Sequence, residues 1–153
     1  TYENSLIQLP EVTFFIPLVA ALAGSIGIQS SSIVVRGLAT GAIQTSDLFV
    51  RLTKELRVGF LNGCICAVLL MGMTWYLSGD LNMAVTNGGA LLIVVCFAAL
   101  VGSTIPIFMK RMNFDPALAT GPFITTANDI VGIAIYLGIT FNLNLFPTGM
   151  LPL

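Results

Sequence analysis

The sequence predicts an all-α integral membrane protein, a bundle of four transmembrane helices. Three observations carry this. Residues 9–38, 57–77, 82–108 and 116–141 form four apolar stretches, each meeting the requirement of about 20 residues for ~30 Å of hydrocarbon. Hydrophobic residues make up 56% of the chain and charged residues only 8%, where a soluble domain carries about 25% charged residues. The mean hydropathy of +0.96 agrees. Finally, all six Lys and Arg residues cluster at two of the chain's loop positions, as the topology of a multi-pass protein requires. A single transmembrane domain over residues 1–153 is expected.

Each stretch has its own markers. Pro17 and the run Gly24-Ser25-Ile26-Gly27 interrupt the first. Such breaks survive in a membrane where neighbouring protein or a cavity satisfies the freed backbone. Glu3 and Glu11 precede it and no basic start is present, so it does not read as a signal peptide. The second carries Gly59-x-x-x-Gly63, a spacing that lets membrane helices approach closely; ordinary helix packing explains it. Trp75 lies near its end, where an interfacial anchor is the expected role. The third reads as a plain apolar span. The fourth puts Gly121, Thr125, Asp129 and Gly132 along one face.

Several functions are excluded. There is no histidine, which removes imidazole catalysis and His-based metal binding. Cys64, Cys66 and Cys96 all lie in apolar stretches, and their spacing matches no zinc site or disulfide framework. No basic surface for nucleic acid exists. No nucleophile–base constellation points to an enzyme.

The basic residues set the orientation. Arg36 lies near the end of the first stretch, Arg51, Lys54 and Arg57 follow in the first link, and Lys110 and Arg111 lie in the third. The positive-inside rule then places the links 39–57 and 109–115 in the cytoplasm and both termini outside the cell membrane. An outside N-terminus without a signal peptide leads us to expect a further span upstream.

Asp129 is the most informative residue. It sits in a long apolar run with no Lys or Arg to pair with. An ionised carboxylate at membrane depth costs at least ~2.5 kcal/mol on insertion scales, so a partner is required, and a cation is the expected one. Thr125 lies one turn before Asp129 on the same stripe, Gly121 two turns before it, and Thr126 at i, i+3. Asn128 points about 100° away. Carboxylate, hydroxyl and backbone carbonyl are all oxygen donors, which suit hard divalent cations such as Mg²⁺, Ca²⁺ or Mn²⁺. Counted from Pro116, Asp129 would lie roughly 20 Å along the helix, near or just beyond the midplane. One carboxylate is weak for a divalent ion. A homodimer with a two-fold axis beside this helix would bring two Asp129 side chains to one ion.

Two groups of motifs resemble a known family. The first is Phe15-Ile16-Pro17-Leu18-Val19 followed by Ala23-Gly24-Ser25-Ile26-Gly27-Ile28-Gln29-Ser30 and Val35-Arg36-Gly37-Leu38-Ala39-Thr40-Gly41. The second runs from Pro106 through Lys110-Arg111 to Asp115-Pro116-Ala117-Leu118-Ala119, Gly121-Pro122-Phe123, Thr125-Thr126, Asp129-Ile130-Val131-Gly132 and Tyr136. Together, over nearly the whole chain, they resemble the membrane domain of the MgtE-type magnesium channels. The resemblance implies a five-helix domain that dimerises around a Mg²⁺ pore, of which the four stretches here would be helices two to five. It implies that Asp129 holds hydrated Mg²⁺, that Thr125 and Gly121 line the ion path with it, and that Gly24, Ser25 and Gly27 face the same pore. Thr126 and Asn128 would touch the ion's water shell from beside the acid. Family members usually carry a cytoplasmic Mg²⁺-sensing region ahead of the first helix, which these residues do not include. Two departures stand out. Ala23-Gly24-Ser25 replaces the family's usual Gly-Gly-Asn, and Gly121 stands where some members have Asn. Both should loosen the hold on the water shell and weaken discrimination against Ca²⁺ or Mn²⁺.

Two other functions fit a lone membrane carboxylate. A proton-coupled cation exporter of the small multidrug type also uses four helices, one acid and a dimer. Such a site wants a cage of Trp and Tyr, whereas Asp129 is surrounded by hydroxyls and carbonyls. A non-transporting assembly subunit would need a partner's Lys or Arg against Asp129.

Overall fold

The computed structural model describes residues 10–44, 48–119 and 121–145. The described residues form four long helices, α1 (Pro10–Ala39), α2 (Leu48–Ser78), α3 (Leu81–Arg111) and α4 (Pro122–Leu145), with a short 3₁₀ turn at Pro116–Ala119 before α4. No strand occurs among them. All four helices are long and apolar enough to cross a membrane, as the stretches of hydropathy predict.

Helix α3 is the centre of the bundle. It packs against α1, α2 and α4, and 50% of its most apolar window is buried, against 22% for α2. Its inner face is Leu91, Val94, Val95 and Ala98, which meet Val12, Phe15, Val19 and Ala23 of α1 and Tyr136 of α4. Both sets recur at three- and four-residue steps, the stripe that faces a neighbour on a helix of 3.6 residues per turn. Helix α2 is peripheral. Its buried positions, Glu55, Gly59, Gly63, Ala67, Leu70 and Thr74, make one narrow strip, and large apolar side chains such as Phe60, Leu61, Val68 and Leu69 point outward. In lipid an outward apolar face costs nothing, since the hydrocarbon is as apolar as the side chains.

Short connections fix the helix order. After α1, Gly41 adopts φ 72°, and the Thr40 hydroxyl donates to the Arg36 carbonyl at 3.0 Å. Between α2 and α3 only Gly79 and Asp80 intervene. Gly79 takes φ 71°, and Asp80 caps α3 by accepting from the backbone N–H groups of Asn82 at 2.8 Å and Met83 at 3.3 Å. A helix end leaves such N–H groups unpaired, and an Asp in extended conformation satisfies them. Two residues allow only an antiparallel hairpin of α2 and α3.

The structure departs from the sequence expectation in three places. Helix α1 is continuous through Pro17, Gly24 and Gly27; the glycines serve close packing and break nothing. Helix α2 starts at Leu48 rather than residue 57. The cations assigned to the link 39–57 therefore lie largely on its first turns, where Arg51 forms an i, i+4 ion pair with Glu55. Charges end the hydrocarbon span but not the helix. The fourth stretch is split: the 3₁₀ turn from Pro116 stops before Gly121, which takes φ 76°, and α4 begins at Pro122. Proline suits the first helical position because its missing N–H would have been unpaired there anyway.

Candidate cation site

The site is built where α4 crosses α1. On α4, Thr125 and Asp129 are half-buried and Thr126 is exposed. On α1, Gly24 lies directly against them: a methyl group there would stand 3.2 Å from Cγ2 of Thr125 and 3.3 Å from Oδ1 of Asp129. Glycine is what brings the α1 backbone up to the carboxylate. One position on, Ser25 is exposed beside this contact, and its hydroxyl accepts from Nε2 of Gln29 at 3.4 Å. Thr125 and Asp129 thus meet α1 at Gly24, and the exposed side chains of Ser25 and Thr126 occupy the next positions on the two helices.

The hydroxyls are held by the helix itself. Thr125 Oγ1 donates to the Gly121 carbonyl at 3.1 Å, and Thr126 Oγ1 donates to the Pro122 carbonyl at 2.8 Å. With its proton committed to the backbone, each hydroxyl oxygen keeps its lone pairs for a cation or a cation's water. Gly121, expected to line the ion path with a backbone carbonyl, has that carbonyl already engaged. Its oxygen accepts from both the backbone N–H and the hydroxyl of Thr125. Its positive φ, with open space where a Cβ would project, makes it the bend that starts α4.

Depth is revised by the split of the fourth stretch. Asp129 is seven residues past Pro122, roughly 10 Å along α4. The part of α4 long and apolar enough to cross a membrane is Pro122–Asn142, and its middle falls near residue 132. Asp129 lies about one turn short of it, on the Pro122 side.

Two of the expected pore-lining residues turn inward. Asn128 is fully buried, and neither amide atom has a hydrogen-bond partner among the described residues. It packs on Gly27, whose missing Cβ leaves room for the amide. Gly27 also receives α3: Gly102 rests on its carbonyl. Gly27 and Asn128 therefore form the crossing point of α1, α3 and α4, behind the seam that carries Asp129. Gly132 likewise faces Val94 and Ala23 in the interior. Sequence reasoning missed Glu55, which is buried in the ion pair with Arg51. The four-residue spacing of the two was the signal.

Among the described residues no group of three or more His, Cys, Asp or Glu side chains could hold a metal. One carboxylate with hydroxyls around it, in a half-buried seam between two spans, suits a hydrated cation in passage better than a cation held permanently. Fold and site together define a multi-pass helical membrane protein with an oxygen-lined intramembrane acid.

A family model described as divalent cation transporter, MgtE, matches residues 16–139, and the chain belongs to that family. The magnesium transporter MgtE of Bacillus subtilis is 31% identical over 138 residues, covering 90% of this chain and 31% of its own length. The magnesium transporter MgtE of Thermus thermophilus is 33% identical over 138 residues, covering 90% and 30%. That of Enterococcus faecalis gives the same identity and coverage. The chain thus spans about a third of the length of these curated relatives.

Proposed function

We propose that the chain is the pore-forming part of a Mg²⁺ transporter, passing hydrated Mg²⁺ through the membrane along the α1–α4 seam. The observation that carries this is Asp129, an acid within a membrane span with no ion pair among the described residues, facing Gly24 and flanked by oxygen donors. Family membership and relatives named as magnesium transporters support it. An inward-moving divalent ion gains ~4.6 kcal/mol per 100 mV of membrane potential, enough to drive passage without further coupling. The chain's own role is binding and positioning, so no enzymatic step is assigned.

The path forms between two copies of the chain. A single chain offers one carboxylate, and its oxygen-lined seam opens outward. Pairing two seams about a two-fold axis surrounds one ion with two Asp129 carboxylates, which neutralise its charge. The basic ends of α1, α2 and α3 face the cytoplasm by the positive-inside rule.

The test is Mg²⁺ entry into liposomes containing the chain, against proton-driven uptake of an organic cation. Mg²⁺ entry scaling with the imposed potential is the expected result. Organic-cation uptake without Mg²⁺ entry would instead assign Asp129 to a drug exporter. For the dimer, Ser25→Cys in a background with Cys64, Cys66 and Cys96 replaced by Ala should cross-link to twice the 16.2 kDa chain mass with a short bismaleimide. The same reagent on Phe60→Cys, on the outer face of α2, should leave monomers. The reverse pattern would remove α1 from the axis.

A further inference from the structure

A second feature lies away from Asp129. A groove of about 500 Å³ opens between α1, α2 and α3. Arg51, Lys54 and Arg57 of α2 line it, with Glu55 as the one acid. Glu55 is already paired with Arg51, so two cations are left in excess. Lys54 and Arg57 form no ion pair among the described residues, and Arg51 Nε is buried without a hydrogen-bond partner. Ile26 and Ile33 of α1, Val58 of α2 and Ala99 of α3 give the groove its apolar lining, with Gln29, Ser30 and Asn62 as its uncharged polar side chains.

The height of this groove in the membrane can be fixed from α2 alone. Trp75 and Tyr76, near its other end, are exposed by 59% and 88%, the arrangement of side chains anchored at a membrane interface. A hydrocarbon thickness of ~30 Å takes about 20 residues of helix. Counting back from Trp75 and Tyr76 reaches Glu55 and Leu56. Arg51, Lys54 and Arg57 therefore bracket the opposite interface, at the level of the lipid phosphates. Val58 lies on the hydrocarbon side of that level, and Ile26 lines the same groove.

We propose that this groove binds one anionic phospholipid, with its phosphate against Arg51, Lys54 and Arg57 and an acyl chain along Ile26, Ile33 and Val58. Arginine forks and a lysine ammonium match phosphate oxygens in charge and geometry. Basic side chains near a membrane surface each add appreciably to the attraction for anionic lipid. A lipid, rather than a free phosphate, is favoured by the apolar side chains of Ile26, Ile33 and Val58, which a soluble ion would leave uncovered. The inference depends on membrane insertion and not on Mg²⁺ passage, so a binding measurement tests it separately from flux.

Native mass spectrometry of the full chain in detergent provides the test. The probes are phosphatidylglycerol, phosphatidylcholine with the same acyl chains, and soluble glycerol 1-phosphate. One phosphatidylglycerol per chain should bind at least tenfold more tightly than phosphatidylcholine, and glycerol 1-phosphate should not displace it. Lys54→Gln/Arg57→Gln should weaken phosphatidylglycerol about thirtyfold. Both side chains are exposed, and unchanged helix content by circular dichroism confirms the fold. Arg51 is kept, because its removal would strand buried Glu55. Lys110→Gln, at the other basic cluster, should bind as the unaltered chain does. If the double variant does not fold, the two single variants are read in its place, each expected to bind about fivefold more weakly. Equal affinity for the two lipids, absence of a bound lipid, or variants that bind like the parent would each overturn the proposal. Full displacement by glycerol 1-phosphate would overturn it in favour of a free-phosphate site.

Discussion

Asp129→Asn is expected to reduce Mg²⁺ flux to the level of empty liposomes while leaving the chain at least as stable as before. The substitution keeps the shape of the side chain and removes its charge. Asp129 makes no ion pair among the described residues and is only half-buried, so no ion pair among them is lost with its charge. Removing an ionised group from a membrane span relieves part of the ~2.5 kcal/mol or more that its insertion costs. Lost function with equal or raised thermal stability is therefore the signature of an acid kept for an ion. Flux assays and thermal unfolding in detergent, run on the same preparations, measure both. Unchanged flux would take the carboxylate out of the ion path. Flux and stability falling together would give Asp129 a structural role instead.

Gly102→Ala is expected to cause the largest loss of stability from a single methyl group. That methyl would land on the carbonyl of Gly27 and within 3.0 Å of other Gly27 backbone atoms. A clash with a flexible side chain relaxes cheaply, but here two helix backbones must part. Overpacking of this kind costs ~1–3 kcal/mol or more. The consequence reaches the site, since Gly27 holds Asn128 and Gly24 holds Asp129. Pushing α1 away from α3 therefore disturbs the seam with α4. Gly72→Ala is the control, because a methyl there meets nothing within 4 Å, and Ala favours helix over Gly by up to about 1 kcal/mol. The control should be neutral or stabilising, and Gly102→Ala should lower the Tm and the flux together. Similar Tm values for the two variants would mean that α1 and α3 do not cross on these glycines.

The two predictions mark different kinds of legibility. Asp129 was legible in the sequence because its signal needs no partner: one charge in a long apolar run is costly wherever the run packs. The glycine contacts were only half legible. Gly59 and Gly63 show as a packing motif, and they do pack on α3, where a methyl at Gly59 would stand 2.9 Å from the Ala99 Cβ. Gly24 and Gly27, three residues apart on one helix, read as one broken, pore-facing stretch. In the structure they divide, one to the seam with Asp129 and the other to the buried crossing with Asn128 and Gly102. Residues three apart lie only about 60° from each other around a helix, so the placement of α3 and α4 decides which neighbour each one meets.

The four spans, the membrane as their solvent and the acid that marks the site can all be read from the amino-acid order. These follow from length, hydropathy and charge, which are properties of each segment alone. Tertiary structure decided where α2 begins, where the fourth stretch bends, and which of the polar residues beside Asp129 share its seam. A helix can run past the hydrocarbon on i, i+4 pairs such as Arg51–Glu55, so hydropathy marks the span and not the helix. Likewise, Asn128 is polar yet buried, because its direction is set by which helices close over it, and that closure depends on contacts between residues far apart in the chain.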